Sequence, residues 1–248
     1  MIVPFTVSHA VVALAARRTP LPVAAVAVGA MAPDAVLFAP FLPPYQDAHS
    51  WWGIPTIDLA VSLVVLATWW FLVRPAWSPV VPRLRRRLPL DWGRRPSFTA
   101  RDALPVVVGC VLGSVTHVVW DGFTHEHGFV VLAWPALRET TVGGYPLPFL
   151  LQDVSSVLGL LALLVVGAVW WRRTDAREVE PLRPVERVVP VVAVGVVVVL
   201  ALAVGVRALL GGAGVGGTVT ALAFRVPALV AAALVVGAVV LLVARVRR

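Results

Sequence analysis

"ALPVVVGCVLGSVTHVVWDGF", residues 103–123, decides the fold of this chain. A helix needs about 20 mostly apolar residues to cross the hydrocarbon of a bilayer, and this run is long enough to do so. Near its end it carries His117 and Asp121, an ionisable pair in a stretch otherwise suited to lipid. Ionisable groups at membrane depth are costly and are kept where they pair or serve a site.

Four further runs have the same length and character: about 54–73, 149–171, 188–210 and 222–244. The whole chain of 248 residues is 59% hydrophobic and 14% charged, with a mean hydropathy of +0.89. Ordinary globular domains are far less apolar. Residues 1–32 read differently. One straight span would place Arg17 and Arg18 at mid-membrane, and "RRTPLP" (17–22) breaks the helix, because proline ends or redirects it. Two shorter helices, about 8–16 and 21–32, are expected to form a hairpin that brings His9 near Asp34. The expected fold is all-α: a polytopic membrane helical bundle of five full spans plus an N-terminal helical hairpin. The expected organisation is a membrane core at 1–171, a cytoplasmic linker at 172–187 and a two-helix membrane hairpin at 188–248, turning at "GGAGVGG" (211–217).

The net charge of +8 rests on arginine alone. Eight arginines fall in 74–102, five in 172–187 and three in the tail (Arg245, Arg247 and Arg248), whereas 33–53 and 211–221 have none and 124–148 has only Arg138. This alternation fits five crossings. The positive-inside rule then places the arginine-rich loops and the C-terminus in the cytoplasm, with 33–53 and 124–148 outside. Basic loops beside apolar spans set topology, so the bilayer is the expected partner and nucleic acid is not. Arg17 and Arg18 faintly resemble a twin-arginine export signal, but the residues before them are apolar, and no cleavage is expected. The single Cys110 excludes an intrachain disulfide or a CxxC zinc site.

The polar residues in or beside the apolar runs are His9, Asp34, Asp47, His49, Asp58, His117, Asp121, His125, His127, Gln152 and Asp153. In the expected topology they gather at the outer membrane level. His117 and Asp121 stand four apart, so a helix stacks them on one face. Asp34 ends "GAMAPD" and His49 lies in "DAHSWWG" before a span. Asp34, His49, His117 and Asp121 would make a two-histidine, two-carboxylate shell, suited to zinc, manganese or iron. The bland readings stand beside this one. HxxxD is often a simple hydrogen bond, His9 a helix N-terminal residue, and "HEH" (125–127) and Asp47 solvated loop. Asp58 and Asp153 could complement helix dipoles or orient a ligand histidine.

In order, "PFTVSHA", "GAMAPDAVLF", "HSWWG", "THVVWDGFTH" and "LLQDVSSVLGLL" resemble the bacterial membrane proteins grouped as domain of unknown function 4184, over roughly residues 3–165. The same skeleton resembles membrane-bound metal-dependent hydrolases and, more distantly, the zinc-dependent phospholipase C and single-strand nuclease superfamily. That resemblance implies metal ligands at Asp34, His49, His117 and Asp121, with His9, and more weakly His125, at a neighbouring site. The superfamily's late HxxxE is replaced here by Gln152 and Ser156, so one or two ions fit better than three. The resulting expectation is a multi-pass hydrolase of the bacterial inner membrane with a divalent metal, zinc foremost, acting on a phosphoester or lipid at the outer face. The alternatives are a non-enzymatic protein with a structural metal or polar site and, less favoured, a metal or proton transporter. No nucleophile elbow or phosphate-binding loop motif is present.

Overall fold

The computed structural model describes residues 6–246. Pro4 and Phe5 of the first motif, and the tail arginines Arg247 and Arg248, lie outside the described residues. The fold is all-α, with five helices long and apolar enough to cross a membrane: α3 (Ile54–Trp77), α4 (Ala100–Thr124), α5 (Leu147–Arg173), α6 (Pro184–Leu210) and α7 (Gly214–Val246). Before them come α1 (Thr6–Ala16), which contains a tighter turn at Ala10–Val12, and α2 (Val23–Gly29). The expected hairpin is present. Residues 17–22 are non-helical, and Ala13, Ala16 and Val26 close its small apolar core.

The helices outrun the expected spans at most of their ends. The largest difference is α7, which begins at Gly214 inside the segment read as a turn. A helix satisfies every backbone group internally, which outweighs glycine's flexibility in an apolar setting. Thr218 and Thr220 also donate back to the carbonyls of Gly214 and Gly216. The loops the sequence left open hold single helical turns at Ala35–Phe38, Tyr45–Ala48, Phe129–Ala133 and Pro135–Glu139, and a two-stranded ribbon pairs 141–142 with 145–146.

By packing, the chain forms two units. Among the described residues, the first comprises 6–66 and 98–170, and the second 67–97 and 171–246. In the first unit α4 is the pillar. Its N-terminus is closed by Asp102, whose carboxylate accepts from the backbone N–H of Thr99 at 2.7 Å. On its inner face Gly109 and Gly113, one turn apart, let α2 approach. A Cβ added at Gly113 would lie 2.4 Å from the Val26 carbonyl oxygen and 2.6 Å from the Ala30 nitrogen. One added at Gly29, on α2, would lie 2.1 Å from the Cys110 carbonyl oxygen. This is a small-xxx-small contact of the kind membrane helices use for close approach. Ser114 secures it by donating to the Gly29 carbonyl at 3.0 Å.

In the second unit α6 and α7 form an antiparallel pair. The end of α3 joins them through the Trp77 indole, which donates to the Leu234 carbonyl at 2.8 Å. Arg245 donates to the carbonyls of Pro75 and Ala76 and pairs with the buried Glu186 at 3.1 Å. A cation at a helix C-terminus both satisfies free carbonyls and offsets the dipole.

Candidate metal centre

The close α2–α4 contact places the end of α2 beside His117. The segment after α2 turns through Pro33 and delivers Asp34. The helical turn Tyr45–Ala48 ends at His49, directly before α3. His117 is fully buried, Asp34 is 1% exposed and Asp121 6%.

These four side chains converge. His49 Nε2 and His117 Nε2 are 3.2 Å apart. Asp34 Oδ1 lies 3.7 Å from His49 Nε2 and 3.6 Å from His117 Nε2. Asp121 Oδ2 lies 3.5 Å from His49 Nε2 and 3.3 Å from His117 Nε2. All four donor atoms fall within 4.8 Å of one another. Ligands bound tetrahedrally at the usual zinc distances of about 2.0–2.1 Å are separated by about 3.3 Å. Five edges of the observed figure therefore already match a coordination tetrahedron.

The proton inventory of the rings sharpens the point. His117 Nδ1 is 2.8 Å from the Ala30 carbonyl oxygen, and His49 Nδ1 is 3.0 Å from that of Tyr45. A carbonyl can only accept, so each Nδ1 carries the ring proton. In the neutral ring each Nε2 then presents a lone pair toward the other and toward two carboxylates. Asp34 Oδ1 has no hydrogen-bond partner, while its Oδ2 accepts from Thr6 Oγ1 at 2.6 Å. Four electron-rich atoms thus face one point, and for His49, His117 and Asp34 the outer atom is already engaged, as in metal ligands that neighbouring groups orient. The cluster can hold a metal ion.

His9 and His125 approach Asp121 from outside this set. His9 stacks on His117 with ring centroids 4.0 Å apart, and its Nε2 lies 3.7 Å from Asp121 Oδ1, which has no hydrogen-bond partner. Burial lowers the His9 imidazole to about 4. His125 Nδ1 is 3.6 Å from Asp121 Oδ2, and its Nε2 is 3.5 Å from the Gln152 amide nitrogen. Tyr45 stacks on His49 and donates to Asp121 Oδ2 at 3.5 Å; burial pushes its phenol up, so it stays a donor.

Two roles considered from sequence fall elsewhere. The groups that orient the two ligand-type histidines are backbone carbonyls, neither Asp58 nor Asp153. Asp153 accepts from the Tyr145 hydroxyl at 2.9 Å. Asp58 sits in a π-helical turn at the start of α3, fully buried, and neither of its carboxylate oxygens has a hydrogen-bond partner. The residues that sequence reasoning missed are Thr6, Ala30 and the glycine pair 109/113. Only the G-x-x-x-G spacing carried a readable signal.

A polytopic helical membrane protein with a buried two-histidine, two-aspartate cluster is the class that fold and site define. Within it, the chain belongs to the family described as domain of unknown function (DUF4184), matched over residues 3–246. The match takes in the last third, which lies beyond the motifs that carry the sequence resemblance. No curated protein and no solved structure matches the chain.

Proposed function

We propose that this protein is a membrane-embedded, divalent-metal-dependent hydrolase, in which Asp34, His49, His117 and Asp121 hold the ion. One observation carries the metal reading: four lone-pair atoms converge at tetrahedral spacing with both Nδ1 protons committed to backbone carbonyls. A ligand set of nitrogen and oxygen without sulfur suits zinc, with manganese and iron as chemical neighbours. When bound, such an ion supplies Lewis acidity toward an ester or phosphoester oxygen and lowers the pKa of water.

The chain's own residues would do the rest. Thr6 holds Asp34 by its outer oxygen, and the Ala30 and Tyr45 carbonyls fix the two imidazoles. His9 is the ring left over: it sits against Asp121 and lines a cavity of about 320 Å³ with Ser8, Thr116, Trp120 and Ser155. That cavity, at the small end of ligand pockets, stops at His9, which stands between it and Asp121 and is in position to exchange a proton with a reactant held there. A phosphoester or lipid substrate fits a site at the ends of membrane helices.

A second reading, a structural metal centre, is favoured by the closed shell of four protein donors, because catalytic zinc usually keeps a position free. The experiment joins metal analysis of the detergent-purified chain to hydrolysis assays on phospholipids and soluble phosphodiesters. About one ion per chain with metal-dependent turnover is expected. A full complement of metal with no turnover on any substrate transfers the site to the structural reading, and absence of stoichiometric metal removes both.

The Thr6→Val variant tests the outer contact. Loss of an orienting partner typically costs about 10–100-fold in metal affinity, and that loss is expected here in a chelator competition titration. Unchanged affinity would mean that Thr6 does not hold Asp34.

A further inference from the structure

The second unit contains a basic hollow separate from the metal centre. Its walls are the segment after α3 and the segment joining α5 to α6, and the two are clipped together along their backbones. Arg177 N–H donates to the Arg86 carbonyl at 2.9 Å, and Arg86 Nε donates back to the Arg177 carbonyl at 3.1 Å. Arg85 donates to the Glu180 carbonyl at 2.9 Å. Arg87 lies 4.1 Å over the Trp171 ring. The clip leaves two adjoining cavities. One, of about 600 Å³, is lined by Arg85, Arg86 and Arg187; the other, of about 340 Å³, by Arg85, Arg177, Leu90 and Trp92.

The charge there is unbalanced. Four guanidiniums border the cavities against two carboxylates, Glu178 and Glu180. Among the described residues, neither glutamate forms an ion pair with them. Arg86 and Arg187 each engage the protein through Nε alone, Arg187 by donating to the Leu182 carbonyl at 3.1 Å. Their outer N–H groups therefore remain available, and a guanidinium fork matches two oxygens of a phosphate. Beside them Leu90 is 86% exposed, and Trp92 is also exposed. The hollow is framed by the end of α5 and the start of α6, so it lies where spans meet the membrane surface. At that level an exposed leucine and tryptophan have apolar neighbours, and arginines have headgroups.

We propose that this hollow seats the phosphodiester headgroup of an anionic phospholipid. Arg86 and Arg187 grip the phosphate oxygens, and Leu90 and Trp92 lie against the glycerol and the first methylenes. The shared chemistry, a phosphate between arginines, could also be met by a free anion. The exposed Leu90 and Trp92 on the same rim select the lipid.

The test uses the full chain in detergent and native mass spectrometry, with added phosphatidylglycerol, phosphatidylcholine or inorganic phosphate. About one phosphatidylglycerol per chain should be retained, and phosphatidylcholine should not. An arginine near a membrane surface contributes about fivefold to anionic lipid binding, so the Arg86→Gln/Arg187→Gln double variant should retain phosphatidylglycerol about 25-fold more weakly. Because Arg86 also clips the loops, Leu90→Glu serves as an independent variant outside the clip and should weaken retention of the lipid but not of phosphate. Equal retention of both lipids, or full retention by the double variant, overturns the proposal. So does displacement of phosphatidylglycerol by millimolar phosphate together with no effect of Leu90→Glu. The readout is lipid retention, so it is independent of what the metal centre does.

Discussion

The His117→Ala variant is expected to lose its metal. His117 is fully buried, contributes one of the four convergent donors, and shares short edges with two of the others: 3.2 Å to His49 and 3.3 Å to Asp121. Changing a group that merely orients a ligand costs about 10–100-fold in affinity, so removing a ligand itself should cost more than about a hundredfold. Purified in parallel with the wild type, the variant should carry less than about a tenth of an ion per chain by elemental analysis. The fold should survive, because the cavity left is polar and α4 keeps its other contacts; helical circular dichroism and a monodisperse elution profile check this. If His117→Ala retains a full ion, the ligand assignment is wrong.

The second large effect lies at a residue that touches no ligand. Gly113→Val should destabilise the first unit by about 3 kcal/mol or more, since its Cβ would meet backbone atoms of α2 that no side-chain rearrangement can move aside. The expected readouts are a lower thermal midpoint in detergent and loss of metal together. The coupling follows from position: the Ala30 carbonyl that holds His117 Nδ1 belongs to the very stretch that Gly113 lets approach. If the variant keeps its metal and its midpoint, the close helix contact does not set the geometry of the site. A Gly113→Ala variant should fall in the same direction by less, which separates steric displacement from general misfolding.

The parts legible in the sequence were those carried by side-chain type and spacing. The five spans followed from apolar length, and the N-terminal break from prolines after an arginine pair. His117 and Asp121 declared themselves by sharing a helical face four residues apart. Asp34 and His49 could be joined to them only through the expected topology, and the geometry brings all four within 4.8 Å. What stayed illegible was carried by the backbone. The carbonyls of Ala30 and Tyr45, which decide the tautomers of both histidines, are chemically identical in every residue and leave no mark in a sequence. Thr6 could not be told from any other threonine in an apolar stretch. Gly109 and Gly113 did have a readable spacing, but a small-xxx-small pattern says that something approaches, without saying what. The arginine loops predict an orientation by charge count alone. That Arg86 and Arg177 would clip two segments about 90 residues apart depends on carbonyl partners, and so lay outside any charge pattern.

X-ray absorption at the edge of the co-purified metal reads the donor set of the metal centre atom by atom. The expected spectrum has nitrogen and oxygen neighbours only, at about 2.0–2.1 Å, with the outer scattering of two imidazoles and near-tetrahedral coordination. A sulfur shell near 2.3 Å, a six-oxygen shell without imidazole, or an absorption edge too weak for one ion per chain would contradict it.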